Sequence, residues 1–296
     1  MKPKIYLAPM SGITDLSFRL ISREFGAEQC FFEMLDAKIT VCDHPGSRRP
    51  LKTIEKDTPI AAQLVGSDPC VMLDAAEKLT TLLDITFLDI NSACPVKKII
   101  KKGAGAALLQ NTAMLGKIIH TLSSRLQIPI TVKLRTGFDK RDIKQCVNTA
   151  ELCEANGASM IFIHGRTRSQ GYSGIIDYES IKAVKDAVRI PVMGSGNIFA
   201  PLMAKKMLDE TGCDGILVAR GAMGNPWLFR NIEHYLQKGE TRTRPALGVR
   251  EKVLAKHLAY IEKYNDMTER NKAGYIGKVK KWYLKGDVSF SQTGQT

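Results

Sequence analysis

One cysteine stands where its thiol could do proton chemistry. Cys94 lies between Asn91 and Pro95, directly after a short apolar segment. A free thiol, with a pKa of about 8.5, is mostly protonated at neutral pH and can act as a general acid. Positive charge nearby favours the thiolate instead, and four lysines follow closely: Lys97, Lys98, Lys101 and Lys102. The sequence leaves this competition open. Alternatively, Cys94 is simply a small, buried, apolar side chain, which is the role that we predict for the other six cysteines.

A lysine and a histidine also interrupt apolar segments. Lys133 lies within the segment 130–135, and a lysine facing a protein interior is costly unless it is paired or used. Its amine could neutralise an electron-rich ring or form a Schiff base, whereas an outward-pointing lysine is the alternative. His164 ends another apolar segment, where a core histidine is the alternative. The nearby Arg166 and Arg168 suit phosphate binding.

Two glycine-containing turns follow the last two apolar segments. They read Gly194-Ser195-Gly196-Asn197 and Ala219-Arg220-Gly221. Backbone N–H groups in such turns often bind a phosphate, and Arg220 could add a charge-assisted hydrogen bond. The turns therefore predict a phosphorylated ligand or cofactor, with simple tight turns as the alternative.

These residues stand at the ends of short apolar segments that alternate with amphipathic, helix-length ones. Continuous apolar segments are typical of parallel strands covered on both faces. Eight such units predict an α/β fold, a (β/α)8 TIM barrel with its chemistry at the carboxyl ends of the strands. An open doubly wound sheet is less favoured, because no Gly-x-Gly-x-x-Gly follows the first strand. The predicted strands are residues 5–8, 30–32, 60–65, 85–90, 130–134, 160–163, 191–193 and 215–218.

Helix signals lie between these strands. Thr14 and Ser67 are candidate N-caps, and Gly26, Gly157 and Gly212 lie just past predicted helix ends. Residues 34–59 read as a loop with some helix. The predicted barrel helices are residues 15–25, 69–83, 113–126, 143–156, 178–187, 200–210 and 227–236.

Composition bounds the class of protein. The 296 residues are 44 % apolar and carry a net charge of +13, which favours an anionic partner such as nucleic acid or a membrane surface. The seven cysteines have no zinc-ligand spacing, so we expect reduced thiols, no metal and a cytoplasmic location. We expect no signal peptide, and no apolar stretch reaches the ~18 residues of a membrane span.

The character of the chain changes at residue 239. We predict a barrel domain over residues 1–238 and a basic helical domain over 239–296, with short helices at 250–264 and 273–284 and a disordered end at 289–296. This second region holds 12 Lys and Arg against 6 Asp and Glu. Nearly half of the excess positive charge thus lies in about a fifth of the chain.

Taken together, the motifs resemble those of the tRNA-dihydrouridine synthases, and the bacterial B-type subgroup in particular. The similarity is carried in order along residues 4–286, and no single motif would be specific. The matching segments are Ala8-Pro9-Met10-Ser11-Gly12-Ile13-Thr14-Asp15, Gln63-Leu64-Val65-Gly66, Asn91-Ser92-Ala93-Cys94-Pro95-Val96, Val132-Lys133-Leu134-Arg135, His164-Gly165-Arg166-Thr167-Arg168, Gly224-Asn225-Pro226-Trp227 and Lys281-Trp282-Tyr283-Leu284-Lys285-Gly286.

The resemblance implies a reaction and a cofactor. Members of this family reduce the C5–C6 double bond of uridines in tRNA with FMN, which NADPH (or NADH) re-reduces. It implies that Cys94 protonates C5 while hydride reaches C6. Gln63 would bond the ring edge of the flavin, and Lys133 would steady its reduced, anionic form. The other implied FMN contacts are Pro9, Met10, Ser11, His164, Ser195, Gly196, Asn197, Ala219, Arg220 and Gly221.

The implied partner is tRNA, bound by a monomer. A uridine must leave the folded RNA to reach the flavin, and cationic contacts to phosphates would offset the unstacking cost. The predicted tRNA contacts are Asn91, Lys97, Lys98, Lys101, Lys102, Arg135, Arg166, Arg168, Lys280 and Lys281.

Some positions depart from the family pattern. Strand seven usually ends Gly-Asn-Gly-Asp, where this chain has Ser195 and Asn197; the loop before Cys94 and the strand-two end also differ. The changes at Ser195 and Asn197 leave a flavin-free RNA-binding barrel open as an alternative. Two others are a dehydrogenase of a free pyrimidine such as dihydroorotate, which would share the flavin site, and a Lys133-dependent aldolase.

Overall fold

The core of the protein is a closed barrel of parallel strands. The computed structural model describes residues 2–42 and 49–284. From the second strand to the eighth, each strand pairs with the next along the chain, and the first pairs with the eighth. The strands are β1 Lys4–Leu7, β2 Cys30–Asp36, β3 Ile60–Val65, β4 Leu88–Asn91, β5 Ile130–Arg135, β6 Ala158–His164, β7 Val192–Ser195 and β8 Gly215–Val218. A hydrogen bond from Leu7 N to Gln29 O joins β1 to the residue before β2 and closes the ring. The predicted (β/α)8 barrel is confirmed.

Helices surround the strands and continue beyond the barrel. They are α1 Leu16–Glu24, α2 Ala37–Val41, α3 Pro69–Leu82, α4 Lys97–Ile100, α5 Thr112–Arg125, α6 Ile143–Ala155, α7 Tyr178–Ala187, α8 Pro201–Thr211, α9 Leu228–Lys238, α10 Leu247–Tyr264 and α11 Glu269–Leu284. Within the described ranges, no helix is long and apolar enough to span a membrane, and no group of three or more metal-ligating side chains is assembled.

The strands are buried on both faces, which explains their unbroken apolar character. On β5, Ile130, Val132 and Leu134 pack outward in the large core shared with the helices. The alternate residues face the barrel interior. The lower interior is filled by a separate apolar cluster that includes Phe31, Phe87 and Phe162, with ring centroids 5.4–6.1 Å apart. The interior is therefore plugged at one end, and a cavity can exist only at the other.

The structure corrects the predicted region between strands two and three. β2 continues to Asp36, four residues past its predicted end, and α2 follows at once. The loop was predicted because residues 34–59 show no clear helix pattern and contain Gly46-Ser47-Arg48-Arg49-Pro50. Within the strand, Glu33 is buried and accepts a hydrogen bond from Gly12 N. Residues 43–48, within the predicted loop, lie outside the described residues.

Both predicted N-caps were one residue early. Asp15 caps α1 by accepting a hydrogen bond from Phe18 N, and Asp68 caps α3 through Cys70 N and Val71 N. The Thr14 hydroxyl instead lies 3.1 Å from Met10 N, and Ser67 bonds Lys102 O. Each candidate is followed by an aspartate, whose carboxylate accepts backbone N–H groups more strongly than a hydroxyl does.

The cysteines are free thiols of two kinds. Four are buried, as predicted: Cys30, Cys146, Cys153 and Cys213. Cys42 and Cys70 are exposed, so their predicted burial was wrong. Cys70 lies in the first turn of α3, whose apolar face turns toward the barrel.

Beyond residue 238, α10 and α11 form a pair that packs against α1. An apolar cluster joins them to the barrel, with Trp227, Leu254 and Tyr283 at its centre. Lys256 and Tyr260 on α10 both bond the carboxylate of Glu24 on α1. The two helices have 18 and 16 residues, longer than predicted. The domain boundary at residue 239 stays a prediction, and the predicted disordered end lies outside the described residues.

Gly224 fixes how closely the barrel approaches α11. A side-chain carbon at this position would overlap the Trp282 carbonyl and lie 2.7 Å from Tyr283 N, and the backbone has φ +66°. We expect Gly224→Ala to lower the free energy of unfolding by about 1–3 kcal/mol, because backbone cannot move aside as a side chain does. Urea unfolding would measure it. Gly274→Ala, at an exposed helical site with open space, is the control and should stabilise slightly.

Candidate active site

A cavity of about 490 Å³ opens at the carboxyl ends of the strands. This volume suits a cofactor-sized ligand. All twelve residues predicted to contact the cofactor line it, together with Cys94 and two of the predicted tRNA contacts. The lining residues among those predictions are Pro9, Met10, Ser11, Gln63, Asn91, Cys94, Lys133, Arg135, His164, Ser195, Gly196, Asn197, Ala219, Arg220 and Gly221.

Two side chains hold the loop that carries Cys94. Asn91, the last residue of β4, accepts hydrogen bonds at Oδ1 from Ala93 N at 3.0 Å and Cys94 N at 2.8 Å. From β5, Arg135 donates from Nε to Ala93 O at 2.6 Å and from Nη1 to Thr167 O at 2.8 Å. Arg135 thus ties the Cys94 loop to the loop after β6. These contacts fix the backbone of Ala93 and Cys94 and so hold the thiol at the cavity.

The structure decides the competition that the sequence left open at Cys94. Burial raises the pKa of the thiol, and the lowering effects of Val96 N–H, Arg135 and Lys133 are smaller. The four lysines of the following segment are not among the groups that act on it; their side chains point to solvent. Cys94 is therefore a protonated thiol at neutral pH and can donate a proton.

A ladder of polar side chains crosses the barrel interior beneath this loop. Asn91 Nδ2 donates to Gln63 Oε1 at 2.8 Å, and Gln63 Nε2 donates to Asp89 Oδ2 at 2.6 Å. Thr131 donates to the other Asp89 oxygen at 2.7 Å. Sequence reasoning missed Asp89, although the signal was available: it interrupts the apolar segment Leu88-Asp89-Ile90 as Lys133 interrupts its own.

Lys133 points into the cavity, not outward. It is opposite Asn91 in the register of β4 and β5. Burial and the neighbouring Arg135 lower its pKa to about 8, while the charge of Asp89 acts in the opposite direction. The amine of Lys133 therefore loses its proton more readily than an ordinary lysine, and an anionic ligand in the cavity would stabilise its charged form.

His164 is a neutral imidazole beside the β7 turn. Its Nδ1 lies 3.2 Å from the Ser195 hydroxyl, and its Nε2 is buried without a partner in the described chain. Burial, followed by the charges of Lys133 and three arginines, holds its pKa well below the ordinary value. A buried ring nitrogen without a partner indicates a ligand atom at this position.

The two glycine turns form a cradle beside His164. Asn197 adopts a left-handed backbone with φ 51°, a conformation that asparagine tolerates better than most residues. A side-chain carbon at Gly221 would overlap Ile198 O, so the two turns touch through backbone. Arg220 lies over the rings of Tyr172 at 4.6 Å and Phe199 at 5.5 Å. Tyr172, 60 % exposed at the cavity rim, is a second residue that sequence reasoning missed.

Arg166 does not lie where a tRNA contact was predicted. Its side chain is 1 % exposed and donates to the carbonyls of Ser173 and Gly174 and to Asn197 Oδ1 at 3.1 Å. This corrects the prediction, because a guanidinium held in this way cannot reach an RNA phosphate at the surface. Its Nη1 is buried and has no partner in the described residues. Arg166 therefore supports the cradle from below.

The other predicted tRNA contacts lie outside the cavity. Lys97, Lys98 and Lys101 are exposed beside the Cys94 loop, while Lys280 and Lys281 are exposed on α11. Lys102 is exposed but pairs with Asp36 at 2.8 Å. Arg168 lies 4.2 Å from the ring centroid of Phe138 and is partly covered. Their contacts to tRNA stay predictions.

The barrel and its cavity define an enzyme of the TIM-barrel class, with a thiol that can donate a proton, a lysine in the cavity and a cradle suited to an anion at one face. The family model described as dihydrouridine synthase (Dus) matches residues 6–295, and the chain belongs to this family. This confirms the resemblance inferred from the motifs.

Named relatives agree with this assignment. The chain is 37 % identical over 283 residues to tRNA-dihydrouridine synthase B of Pseudomonas aeruginosa, covering 95 % of this chain and 83 % of that one. It is 36 % identical to the Vibrio parahaemolyticus protein of the same name, covering 100 % and 91 %. Among solved structures, histamine dehydrogenase from Rhizobium sp. 4-9 is similar in fold alone, with TM-score 0.60 and 13 % identity over 86 % of this chain and 48 % of that one.

Proposed function

We propose that this protein reduces particular uridines of tRNA to 5,6-dihydrouridine, with FMN as cofactor and NADPH as reductant. The observation that carries the proposal is the position of Cys94 on a cavity that is also lined by Lys133, Gln63 and the anion cradle. Burial raises the pKa of this thiol, which favours the form that can donate a proton. Membership of the dihydrouridine synthase family supports the same reaction.

The residues present fit FMN. A phosphate needs several donors close together, and the cradle combines Arg220 with the backbone of two turns. His164 Nε2 and Arg166 Nη1, both without a partner among the described residues, lie beside it. Gln63 and Lys133, on the cavity floor, would hold the ring. Pro9, Met10 and Ser11 would line it on the β1 side. When bound, reduced FMN would supply the hydride that reaches uracil C6.

The chain's own residues would supply the proton and the orientation. The Cys94 thiol would donate a proton to C5, and Asn91 and Arg135 would keep the loop that carries it in place. Lys133 would hold positive charge beside the ring, which favours an electron-rich form there. The neutral His164 would donate a hydrogen bond without adding charge to the site.

Exposed lysines on two parts of the surface would bind the tRNA substrate. The exposed Lys97, Lys98 and Lys101 border the Cys94 loop, and Lys280 and Lys281 extend along α11. Backbone phosphates are the anions that such lysines contact, and these contacts would offset the few kcal/mol needed to extrude a base. A single protein chain would suffice for this arrangement.

A visible spectrum tests the proposal directly. The purified protein is expected to show flavin bands near ~450 nm that bleach with anaerobic NADPH and return on adding unmodified tRNA. Recovery with free uridine or orotate to the same extent would indicate a small-molecule dehydrogenase instead. A colourless protein that FMN cannot reconstitute, yet that binds tRNA, would refute the enzymatic proposal.

Replacing Lys133 by methionine tests the charge at the cavity floor. We expect kcat/KM to fall by about 10–100-fold, because a charge-assisted contact contributes about 1.5–3 kcal/mol. Its lowered pKa, about 8, means that the contribution is present below that pH and is lost as the pH rises through it. The flavin reduction potential is expected to fall as well. Lys98→Met removes an exposed lysine that does not line the cavity; it is the control for the potential, which should stay unchanged.

A further inference from the structure

The direction of every hydrogen bond in the interior ladder can be assigned from its upper end. Backbone amides only donate, so Asn91 must present Oδ1 to Ala93 N and Cys94 N. Its Nδ2 then faces Gln63, which must present Oε1 to it. Gln63 therefore directs Nε2 at Asp89, and the ladder requires an acceptor at its lower end.

Asp89 supplies that acceptor, and its carboxyl group is closed off from solvent. Its side chain is 0 % exposed, and both oxygens receive donors, Gln63 Nε2 at 2.6 Å and Thr131 Oγ1 at 2.7 Å. Gln63, Asp89 and Thr131 are lateral neighbours in the registers of β3, β4 and β5. The carboxyl oxygen that faces Gln63 is therefore the acceptor at the lower end of the ladder.

One amide hydrogen of Gln63 has no partner in the part of the chain that the structure describes, and Gln63 lines the cavity. Since its oxygen is held by Asn91 and its other hydrogen by Asp89, the group that faces the cavity is an N–H donor. Two contacts fix the amide: Asn91 holds the oxygen and Asp89 holds Nε2. Without Asp89 only the contact to Asn91 remains, and an amide that turns away from it would present its carbonyl, which would repel the acceptor atoms of a ring edge.

We propose that Asp89 is a positioning residue of this enzyme: together with Asn91 it holds the orientation of the Gln63 amide, so that the cavity floor presents an N–H donor to the ring of the cofactor. This rests on the proposed function, because it takes FMN as the ligand. Asp89 acts through Gln63 and touches no reacting atom.

Two substitutions at Asp89 separate orientation from charge. Asp89→Leu removes the acceptor, and titration of the apoprotein with FMN is expected to give a Kd raised about tenfold or more. The carbonyl stretch of bound flavin should move toward its unbonded frequency. Asp89→Asn still offers an oxygen to Gln63, so it should keep the frequency and a Kd within about threefold of the parent. The control is Ser92→Ala, since this buried hydroxyl has no partner among the described residues.

A reciprocal exchange tests the ladder without any cofactor. Gln63→Glu sets two carboxylates against each other and is expected to lower Tm at pH 8. Adding Asp89→Asn gives the new carboxylate at position 63 an amide N–H donor in place of a second carboxylate. Tm should then return toward the parent value. The FMN affinity should stay weak, because the exchanged pair presents no N–H to the cavity.

The outcomes are distinct. Unchanged Kd and carbonyl frequency in a folded Asp89→Leu variant, or full recovery of FMN affinity in the exchanged pair, would overturn the inference. A parent protein that binds no FMN would overturn the proposed function and the inferred purpose of the orientation. In that case the Tm recovery would still show whether Asp89 orients Gln63.

Discussion

Replacing Cys94 by alanine is expected to lower kcat by about 10²–10⁴-fold, the usual contribution of a positioned general acid. Reduction of the flavin by NADPH should be unaffected, because the thiol serves only the step at uracil C5. Anaerobic stopped-flow measurement of the two half-reactions separates these effects. The raised pKa of Cys94 adds a pH signature. Because the protonated form is the active one, reoxidation by tRNA should hold past the ordinary thiol pKa of about 8.5 and decline only above it.

The control for this prediction is another accessible thiol. Cys70 is exposed on α3, outside the cavity, and Cys70→Ala should retain the parent rates. If Cys94→Ala kept most of the parent rate of reoxidation by tRNA, the proton would have to come from elsewhere, and Cys94 would be a positioning residue at most.

Removing the carboxylate of Asp57 is expected to cause the largest loss of stability. Asp57 lies at the centre of a buried cluster: Arg19 donates to its Oδ2 from Nε and Nη2 at 2.9 and 2.7 Å, and Arg23 donates to Oδ1 at 3.0 Å. The side chains of Arg19 and Asp57 are both 0 % exposed. Asp57→Ala would leave buried guanidinium charge without its partner, which costs about 3–5 kcal/mol.

Urea unfolding followed by circular dichroism would measure this loss. The matched control is Asp209→Ala on α8, whose pair with Lys205 at 2.7 Å is about half exposed and should contribute no more than about 1 kcal/mol. A loss in the free energy of unfolding for Asp57→Ala that is as small as for Asp209→Ala would contradict the prediction.

The Asp57 cluster also bears on the site. Arg19 donates from Nη1 to Thr14 O, at the end of the loop that carries Met10 and Ser11 to the cavity. From the other side, the Tyr275 hydroxyl of α11 lies 3.2 Å from Ile13 O. A folded Asp57 variant should therefore bind FMN less tightly than the parent, because this loop would lose one of its supports.

How much of the site could be predicted depends on the kind of signal. Strand-end residues such as Gln63, Lys133 and His164 were predictable, because a polar residue in an apolar segment must face a site or be paired. The same rule would have found Asp89. Arg166 was misplaced because a charged residue on a loop resembles a surface residue whether or not backbone carbonyls enclose it.

By itself, the sequence determined the fold and the family. Apolar segments buried on both faces admit few arrangements, and strand ends must meet at one edge of a parallel barrel. Only the tertiary structure decided the protonation of Cys94, the direction of the ladder from Asn91 to Asp89, and the burial of Arg166. These depend on desolvation and on partners far apart along the chain: Arg135 meets Ala93 across 42 residues, and Tyr275 meets Ile13 across 262.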